Sequence, residues 1–566
     1  MLVPGITRAP GVASNQDGNA KRVYSSGKMT GSVKLITSRF WNNERAAHAY
    51  ARGLWTAHTL ADCLRTESQR APHRVLLVDG DHRVDCQTLL FRATALAHAM
   101  LARAPAGSVV SFMLPNWHEA AVIYLAATLA GMTVNPILPS LRDRELLFIL
   151  KDSGSRLIFV PSTLRQQNYV EMLSRVTAQL DSPPEVVVLR GDPGRHTSYE
   201  SLFQHESGGK PFPVLDPNAV RMILYTSGTT GRAKGVLHSH NSIHALICQI
   251  RDHWLVEPGD KFLVPSPIGH IGGSIYAFEC PLLLGTTAVL MDRWNADDAV
   301  KLVETERCTH MAGATPFLEQ MLSAARLAGT HLPSLKLFVC GGASVAPSLI
   351  RTAAAYFERA VVTRVYGSTE VPITTVGATG HHDAQHAADT DGRAGLAEIK
   401  LVGHDAARAD EGEILARGPQ MLLGYLHPED DAVAFDSEGY FKTGDIARRV
   451  DGEYLVVTGR AKDIIIRNGE NISPKEVEDI LIGHPDIAEV AIVGVPDPRT
   501  GERACAVIVP KSPPGPDVAS LRSFLDAQGV ATFKVPEHVV IWDALPKNDA
   551  GKVLKAQIRA ALAQKS

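Results

Sequence analysis

Cysteine is sparse and without pattern: seven residues (63, 86, 248, 280, 308, 340 and 505) in 566, with no C-x-x-C pair and no framework spacing. That argues against a disulfide scaffold and fits a reducing compartment, so a cytoplasmic location is expected. An excess of either charge is also missing, since 57 Lys and Arg stand against 60 Asp and Glu for a formal net charge of −3. No general attraction for nucleic acid or an anionic membrane follows, and no nucleic-acid partner is expected. Long apolar runs are absent too. The nearest, Ala120 to Met132, is too short to span a hydrocarbon core of about 30 Å and reads as a buried helix, so no integral membrane segment is expected. Acids are scarce only in residues 1–40, which hold Asp17 against six Lys or Arg. That stretch has no apolar period and reads as a disordered or mis-called N-terminal extension, with Met29 as an alternative start, ahead of a transit peptide. What remains is 45% apolar and 21% charged, an ordinary globular composition, in a chain long enough for at least two domains.

The most informative segment present is YTSGTTGRAKGV, Tyr225 to Val236, entered from the apolar run Val220 to Leu224. It is not a Walker A loop, because Lys234 is followed by Gly235 rather than Ser or Thr. Its small hydroxyls, glycines and one lysine nevertheless suit a polyphosphate grip. Two further apolar runs open into polar loops: Leu335 to Cys340 into Gly341-Gly342-Ala343, and Val361 to Val365 into Tyr366-Gly367-Ser368-Thr369-Glu370. Loops at the carboxyl ends of strands are where open α/β sheets bind ligands. Glycines at 341 and 342 let a flat base approach the backbone, Tyr366 offers a ring to stack on it, and Glu370 is an oxygen ligand of the kind magnesium takes. Singly, Tyr366 reads as a core aromatic and Glu370 as a solvated charge; together they read as a site. Later, Asp445 is an acceptor suited to two ribose hydroxyls, Arg460 a fork of donors, and Lys552 a loop lysine beside Gly551.

The ordered set YTSGTTGRAKG, YGSTE, GYFKTGDIA, GRAKDIIIRNGENISP and LPKNDAGK resembles the adenylate-forming superfamily of acyl-CoA synthetases, peptide-synthetase adenylation domains and beetle luciferases. The likeness runs from about residue 50 to the C-terminus and includes Pro115-Asn116-Trp117. One departure is Asn468-Gly469 where the family often has two glycines; Asn tolerates left-handed backbone, so the turn is expected to survive. The resemblance implies an α/β fold with a large N-terminal adenylation domain (41–461), its β-sheets flanked by helices, and a small mobile C-terminal α/β domain (462–566).

It also implies roles. Thr226, Ser227, Gly228, Thr229, Thr230, Gly231 and Lys234 would hold the β- and γ-phosphates of ATP. Thr369 would contact the α-phosphate, and Glu370 would bind Mg²⁺. Gly341, Gly342, Ala343, Tyr366 and Gly367 would hold adenine, with Asp445 and Arg460 on ribose. Lys552 would bridge the carboxylate and the α-phosphate, and Lys462 would be the hinge that brings Gly469 and Glu470 to the thiol channel. His270, in Pro265 to Gly273, would lie near the carboxylate of the acid. That segment lacks the aspartate of amino-acid-activating relatives, which disfavours an ammonium-bearing substrate. The overall look is nearest to medium-chain fatty acid and cyclohexanecarboxylate CoA ligases, implying a medium-chain, alicyclic or aryl-alkyl acid as substrate with ATP and coenzyme A. Two other readings stand: an enzyme that loads a carrier protein, and a catalytically inactive nucleotide sensor. A homodimer is compatible with the likeness.

Two local expectations complete the reading. His381-His382-Asp383 with His386 reads as a solvated loop rather than a metal site. Ser473-Pro474-Lys475-Glu476 reads as a capping box opening a helix from Pro474 to about Ile482. Strands over Ile487 to Val495 and Ala504 to Val509, a helix over Val518 to Ala527 and a strand near Val539 to Trp542 are expected to follow.

Overall fold

The computed structural model describes residues 43–204, 211–226, 232–342, 345–380, 383–403, 410–467, 470–497, 499–548 and 551–563, so the extension expected over 1–40 lies outside the described residues. Short, nearly all-apolar strands alternate with helices through the first 365 residues, the pattern that builds largely parallel sheets covered on both faces. Among the described residues this gives two large sheets. One runs, edge to edge, Gly424–Tyr425, Lys234–Ser239, Val220–Thr226, Thr133–Pro136, Val109–Phe112, Ser155–Pro161, Glu185–Leu189 and Thr197–Ser198. The other runs Val361–Arg364, Leu337–Cys340, His310–Gly313, Lys261–Val264, Thr287–Leu290, Val75–Asp79 and His82–Asp85.

Successive side chains of a strand point to opposite faces, and here the two faces join different cores. Leu77, Phe112, Phe159, Phe262 and Val339 meet in one cluster. Their neighbours Val78, Leu263 and Phe338 belong to a second, and Met113, Ile158 and Val160 to a third. The sheets thus share an inner helical layer, and each carries helices on its outer face. The helix His118–Leu129 belongs to the inner layer and is buried at every residue, which its apolar stretch Ala120–Ala127 suits, while His118 and Glu119 at its start are held by Asp79 and Arg190. Among the described residues no helix is long and apolar enough to cross a membrane. One ion pair is sealed into this layer. Arg221 donates to Glu279 at 2.7 Å, and the Tyr124 hydroxyl donates to the same carboxylate oxygen at 2.6 Å. A buried charge persists when paired and hydrogen-bonded in this way.

A third, mainly antiparallel sheet (Thr375–Val376, Arg393–Ala394, Tyr454–Arg460, Phe441–Val450, Glu411–Arg417, Glu398–Val402) leads to the C-terminal part through one 3₁₀ turn, Ala461–Asp463. Beyond it, Ile465–Arg467, Glu470–Ile472, Gly501–Pro510, Ile487–Asp497 and His538–Ile541 form a separate five-stranded sheet. It is covered by helices Pro474–Leu481 and Val518–Ala527, so the C-terminal elements stand within a few residues of their sequence-based positions. The whole is an α/β protein with a large N-terminal region and a smaller C-terminal α/β module.

Two local expectations need correction. Ser473 stands at the N-cap but its side chain makes no capping bond. Its hydroxyl donates instead to the Thr458 carbonyl, and Glu476 is drawn to Lys534 at 2.6 Å. The cap pattern was therefore spent on tying the helix to the preceding sheet and to the 532–534 turn. The histidine-rich segment is not simply a solvated loop: His386 sits on a short helix, Ala384–Asp389, stacked on Tyr454 at 4.0 Å and paired with Asp383 and Asp451. His381 and His382 lie outside the described residues.

Candidate active site

Three parallel strands end side by side. In the pairing of His310–Gly313, Leu337–Cys340 and Val361–Arg364, Gly313 faces Cys340 and Cys340 faces Arg364, so the loops that follow open at one sheet edge. Gly341 packs too closely for a side chain, since a Cβ there would lie 2.8 Å from the Val365 carbonyl oxygen. Gly342 adopts φ +81°, a conformation glycine takes without strain. These loops, Thr226, Arg232 and Lys552 border a cavity of about 1120 Å³, whose wall continues through His270, Gly272, Tyr276, Ala312, Gly313, Ala314 and Phe317. Polar loops and an apolar recess therefore share one space.

Asp445 and Arg460, fifteen residues apart, face one another across antiparallel strands. Arg460 Nε meets Asp445 Oδ1 at 2.7 Å, and the Tyr366 hydroxyl donates to Asp445 Oδ2 at 2.7 Å. Burial pushes the Tyr366 hydroxyl well up, with the Asp445 charge adding to it. Tyr366, Asp445 and Arg460 thus form one cluster, and both Tyr366 and Gly367 line the cavity.

The acidic loop is braced from beneath. Burial pushes His238 down to about 4, so it is neutral at physiological pH; its Nε2 donates to the Thr369 carbonyl at 2.8 Å. The next residue, Glu370, accepts from the Tyr425 hydroxyl at 2.9 Å. Lys234 pairs with Asp430 at 3.2 Å and stands 5.0 Å from the Tyr425 ring centre. Thr226 and Lys234 are cross-strand partners that bracket the loop between them. Ser227, Gly228, Thr229, Thr230, Gly231, Ala343 and Gly469 lie outside the described residues. Glu470 opens the strand Glu470–Ile472, opposite Arg467.

Lys552 arrives from the C-terminal module. Its N–H donates to Asn548 Oδ1, and Lys547 bridges Val553, so a tight loop presents it to the cavity. A Cβ on Gly551 would lie 3.2 Å from Pro316 Cγ, so this loop rests on the large region. Lys552 is exposed and lines the cavity. Desolvation, with the nearby positive charges of Arg460 and Lys462, pushes it down to about 8, against the opposing pull of Asp445 and Asp463. Lys462 lies on the connecting turn, whose Asp463 is held by Arg559 at 3.2 Å.

His270 is the N-cap residue of Ile271–Ser274, on the cavity wall. The loop before it is fastened by Asn116, whose Nδ2 donates to the Val264 and Ser266 carbonyls while its Oδ1 accepts from Ile268 N–H. That gives Pro115-Asn116-Trp117 a physical role. Sequence reasoning passed over His238, Tyr425, Asp430, Trp254 and Tyr276. The available signal was a histidine inside a strand of otherwise buried type. Among the described residues the one group of carboxylates and histidine close enough to share an ion, Asp79, His118 and Glu119, is away from the cavity wall. Arg190 already pairs with both carboxylates, 3.3 Å from Asp79 and 2.7 Å from Glu119.

Comparison with known proteins shows the family. The family model described as AMP-binding enzyme matches residues 64–426, and that for the AMP-binding enzyme C-terminal domain matches residues 476–552. The chain is 34% identical to a medium-chain fatty-acid–CoA ligase of Escherichia coli strain K12, over 92% of this chain and 93% of that one. It is 30% identical to a salicyl-AMP ligase / salicyl-S-ArCP synthetase of Mycobacterium tuberculosis, over 91% and 93%. ATP-bound MatB from Rhodopseudomonas palustris superposes with a TM-score of 0.79 at 26% identity, covering 88% of this chain and 98% of that one.

Proposed function

Because the chain belongs to the AMP-binding enzyme family of adenylate-forming ligases, we propose that it is an ATP-dependent carboxylic acid:CoA ligase acting on a medium-chain, alicyclic or aryl-alkyl acid. The observation that carries this reading is Lys552, brought from the C-terminal module to a cavity that joins the Tyr366–Thr369 loop to the His270 wall. A carboxylate is a poor electrophile. In the first half-reaction its oxygen attacks the α-phosphorus of ATP, the bond to the β-phosphate oxygen breaks, and acyl-adenylate and pyrophosphate form. In the second, the coenzyme A thiol loses its proton, the sulfur attacks the acyl carbonyl, and AMP leaves.

In this reading Thr226 to Lys234 hold the β- and γ-phosphates, and Thr369 contacts the α-phosphate. Gly341 to Ala343, Tyr366 and Gly367 hold adenine, and Asp445 with Arg460 holds ribose. His270 faces the carboxylate, and Lys552 stabilises the charge that develops between the two reactants. Glu370 offers one oriented carboxylate, a fitting donor for Mg²⁺, which keeps several ligands from water and phosphate. That ion would neutralise phosphate charge when bound.

Two expectations follow. Lys552 acts as a cation, so kcat/KM for ATP, which reports the free enzyme, should fall as pH rises through about 8. Bound polyphosphate favours the charged lysine, so the alkaline limb of kcat should lie higher; coincident limbs would show that a different group titrates. Removing the His238 bond leaves a buried carbonyl without its donor, a cost of about 1–3 kcal/mol. His238→Ala should therefore reduce pyrophosphate release about tenfold through displacement of Thr369 and Glu370, and unchanged turnover would remove that role.

A second reading, loading of a carrier protein, is favoured by the likeness to the salicyl-S-ArCP synthetase. A catalytically inactive sensor has no use for Lys552 on the cavity wall. AMP formation with Mg-ATP, with and without CoA, across straight-chain, alicyclic, aryl and amino acids separates the three. Acid- and CoA-dependent AMP with a matching acyl-CoA supports the ligase. Pyrophosphate exchange without an acyl-CoA product supports carrier loading, and nucleotide binding without acid-dependent turnover supports the sensor.

A further inference from the structure

The acyl end of the cavity is not uniformly apolar. Tyr276 and Trp254 both line it, 6% and 2% exposed, with ring centres 5.6 Å apart. Among the described residues the Trp254 indole N–H has no hydrogen-bond partner. Among the described residues the Tyr276 hydroxyl makes no hydrogen bond to the protein, and burial, with Cys280 nearby, pushes it well up. The Tyr276 hydroxyl is not enclosed as the indole N–H is, so it is the polar group that this apolar wall offers to a ligand.

Neither ring is free to turn away. Tyr276 stacks on Phe262 at 5.5 Å and 8°, and Phe262 stacks on His310 at 4.9 Å. His310 in turn hydrogen-bonds the Trp254 carbonyl at 2.9 Å, closing the ring of contacts. Tyr276 also lies in a π-helical turn, Ile275–Glu279, whose last residue is clamped by Arg221 and Tyr124. π-Turns of this kind concentrate at functional sites because they re-aim a side chain without ending the helix.

We propose that the acid taken by this site carries a hydrogen-bond acceptor, a ring carbonyl or hydroxyl, on the part of the acyl group that lies against the Tyr276 hydroxyl. This rests on the ligase reading above and narrows it from plain alkyl or alicyclic acids to oxygenated ones. A site built to hydrogen-bond a substrate oxygen discriminates strongly against the analogue lacking it, because its own buried donor is then left unpaired.

The test compares cyclohexanecarboxylate with 4-oxocyclohexanecarboxylate, and 3-cyclohexylpropanoate with its 4-oxo derivative, as substrates of the full-length wild-type chain and Tyr276→Phe. AMP release and acyl-CoA are the readouts. Wild type should favour the oxo acid of at least one pair by about tenfold or more in kcat/KM. Tyr276→Phe should erase that preference, bringing the oxo acid down to the plain acid in kcat/KM, while an unchanged circular dichroism spectrum and melting temperature show that the variant is folded. Turnover without an oxo preference, or a preference that survives in Tyr276→Phe, overturns this inference and leaves the ligase intact. Acid-independent behaviour with every compound overturns the ligase reading, and this inference with it.

Discussion

Lys552→Ala should lower acid-dependent pyrophosphate release by about 10²- to 10³-fold, the usual cost of removing one donor aimed at developing charge, while thioester formation from a supplied acyl-adenylate stays near wild type. The first half of that expectation follows from position. Lys552 is the ammonium of the C-terminal module that reaches the cavity shared by Thr369 and His270, and its loop rests against Pro316. An acid and a triphosphate are both anionic, so bringing them together concentrates negative charge where a cation has most effect. The second half follows from chemistry: once the adenylate exists, AMP is a good leaving group and the lysine is no longer required. Loss of both halves would mean that Lys552 holds the fold or the nucleotide rather than the first transition state.

Lys462→Pro should give the opposite division. Lys462 sits in the 3₁₀ turn between the strand Tyr454–Arg460 and the first strand of the C-terminal sheet. Proline fixes φ near −65° and restricts the residue before it. A residue in a 3₁₀ turn has φ near that value, so proline suits position 462 itself in one arrangement of the module but not through a large rotation. The arrangement with Lys552 on the cavity wall is the one described, so adenylate formation should fall by no more than a few-fold. Thioester formation, which in the proposed cycle withdraws Lys552 and brings the 469–471 loop to the thiol, should fall on the order of 10²-fold or more, as when a gating motion limits turnover. Equal losses in both half-reactions would contradict a hinge at this residue.

The parts of this site that were legible in the sequence share a property: each is local. Gly341-Gly342 and the 366–370 loop follow apolar strands directly, and the C-terminal helices and strands show their periods without interruption. Asp445 and Arg460 were readable as residues, but their ion pair depends on the register of two strands, which motif spacing does not state. Ser473 carried a sound capping pattern and lost it to the Thr458 carbonyl, an acceptor that only tertiary packing supplies. His238 was hidden because a buried strand histidine gains meaning only from the Thr369 carbonyl 131 residues away. The acyl wall was least legible of all. Trp254, Tyr276, Phe317 and Val339 converge from separate elements, and Tyr276 lies in a π-helical turn that breaks the ordinary helical period.

In the proposed cycle this cavity joins a carboxylate to the α-phosphate of ATP before any thiol takes part. Acid-dependent exchange of labelled pyrophosphate into ATP, measured with Mg²⁺ and without coenzyme A, tests it most directly. Exchange should require the acid, saturate with it, and disappear in Lys552→Ala. Acyl-CoA formation from the same acid with no exchange in the absence of coenzyme A would contradict it.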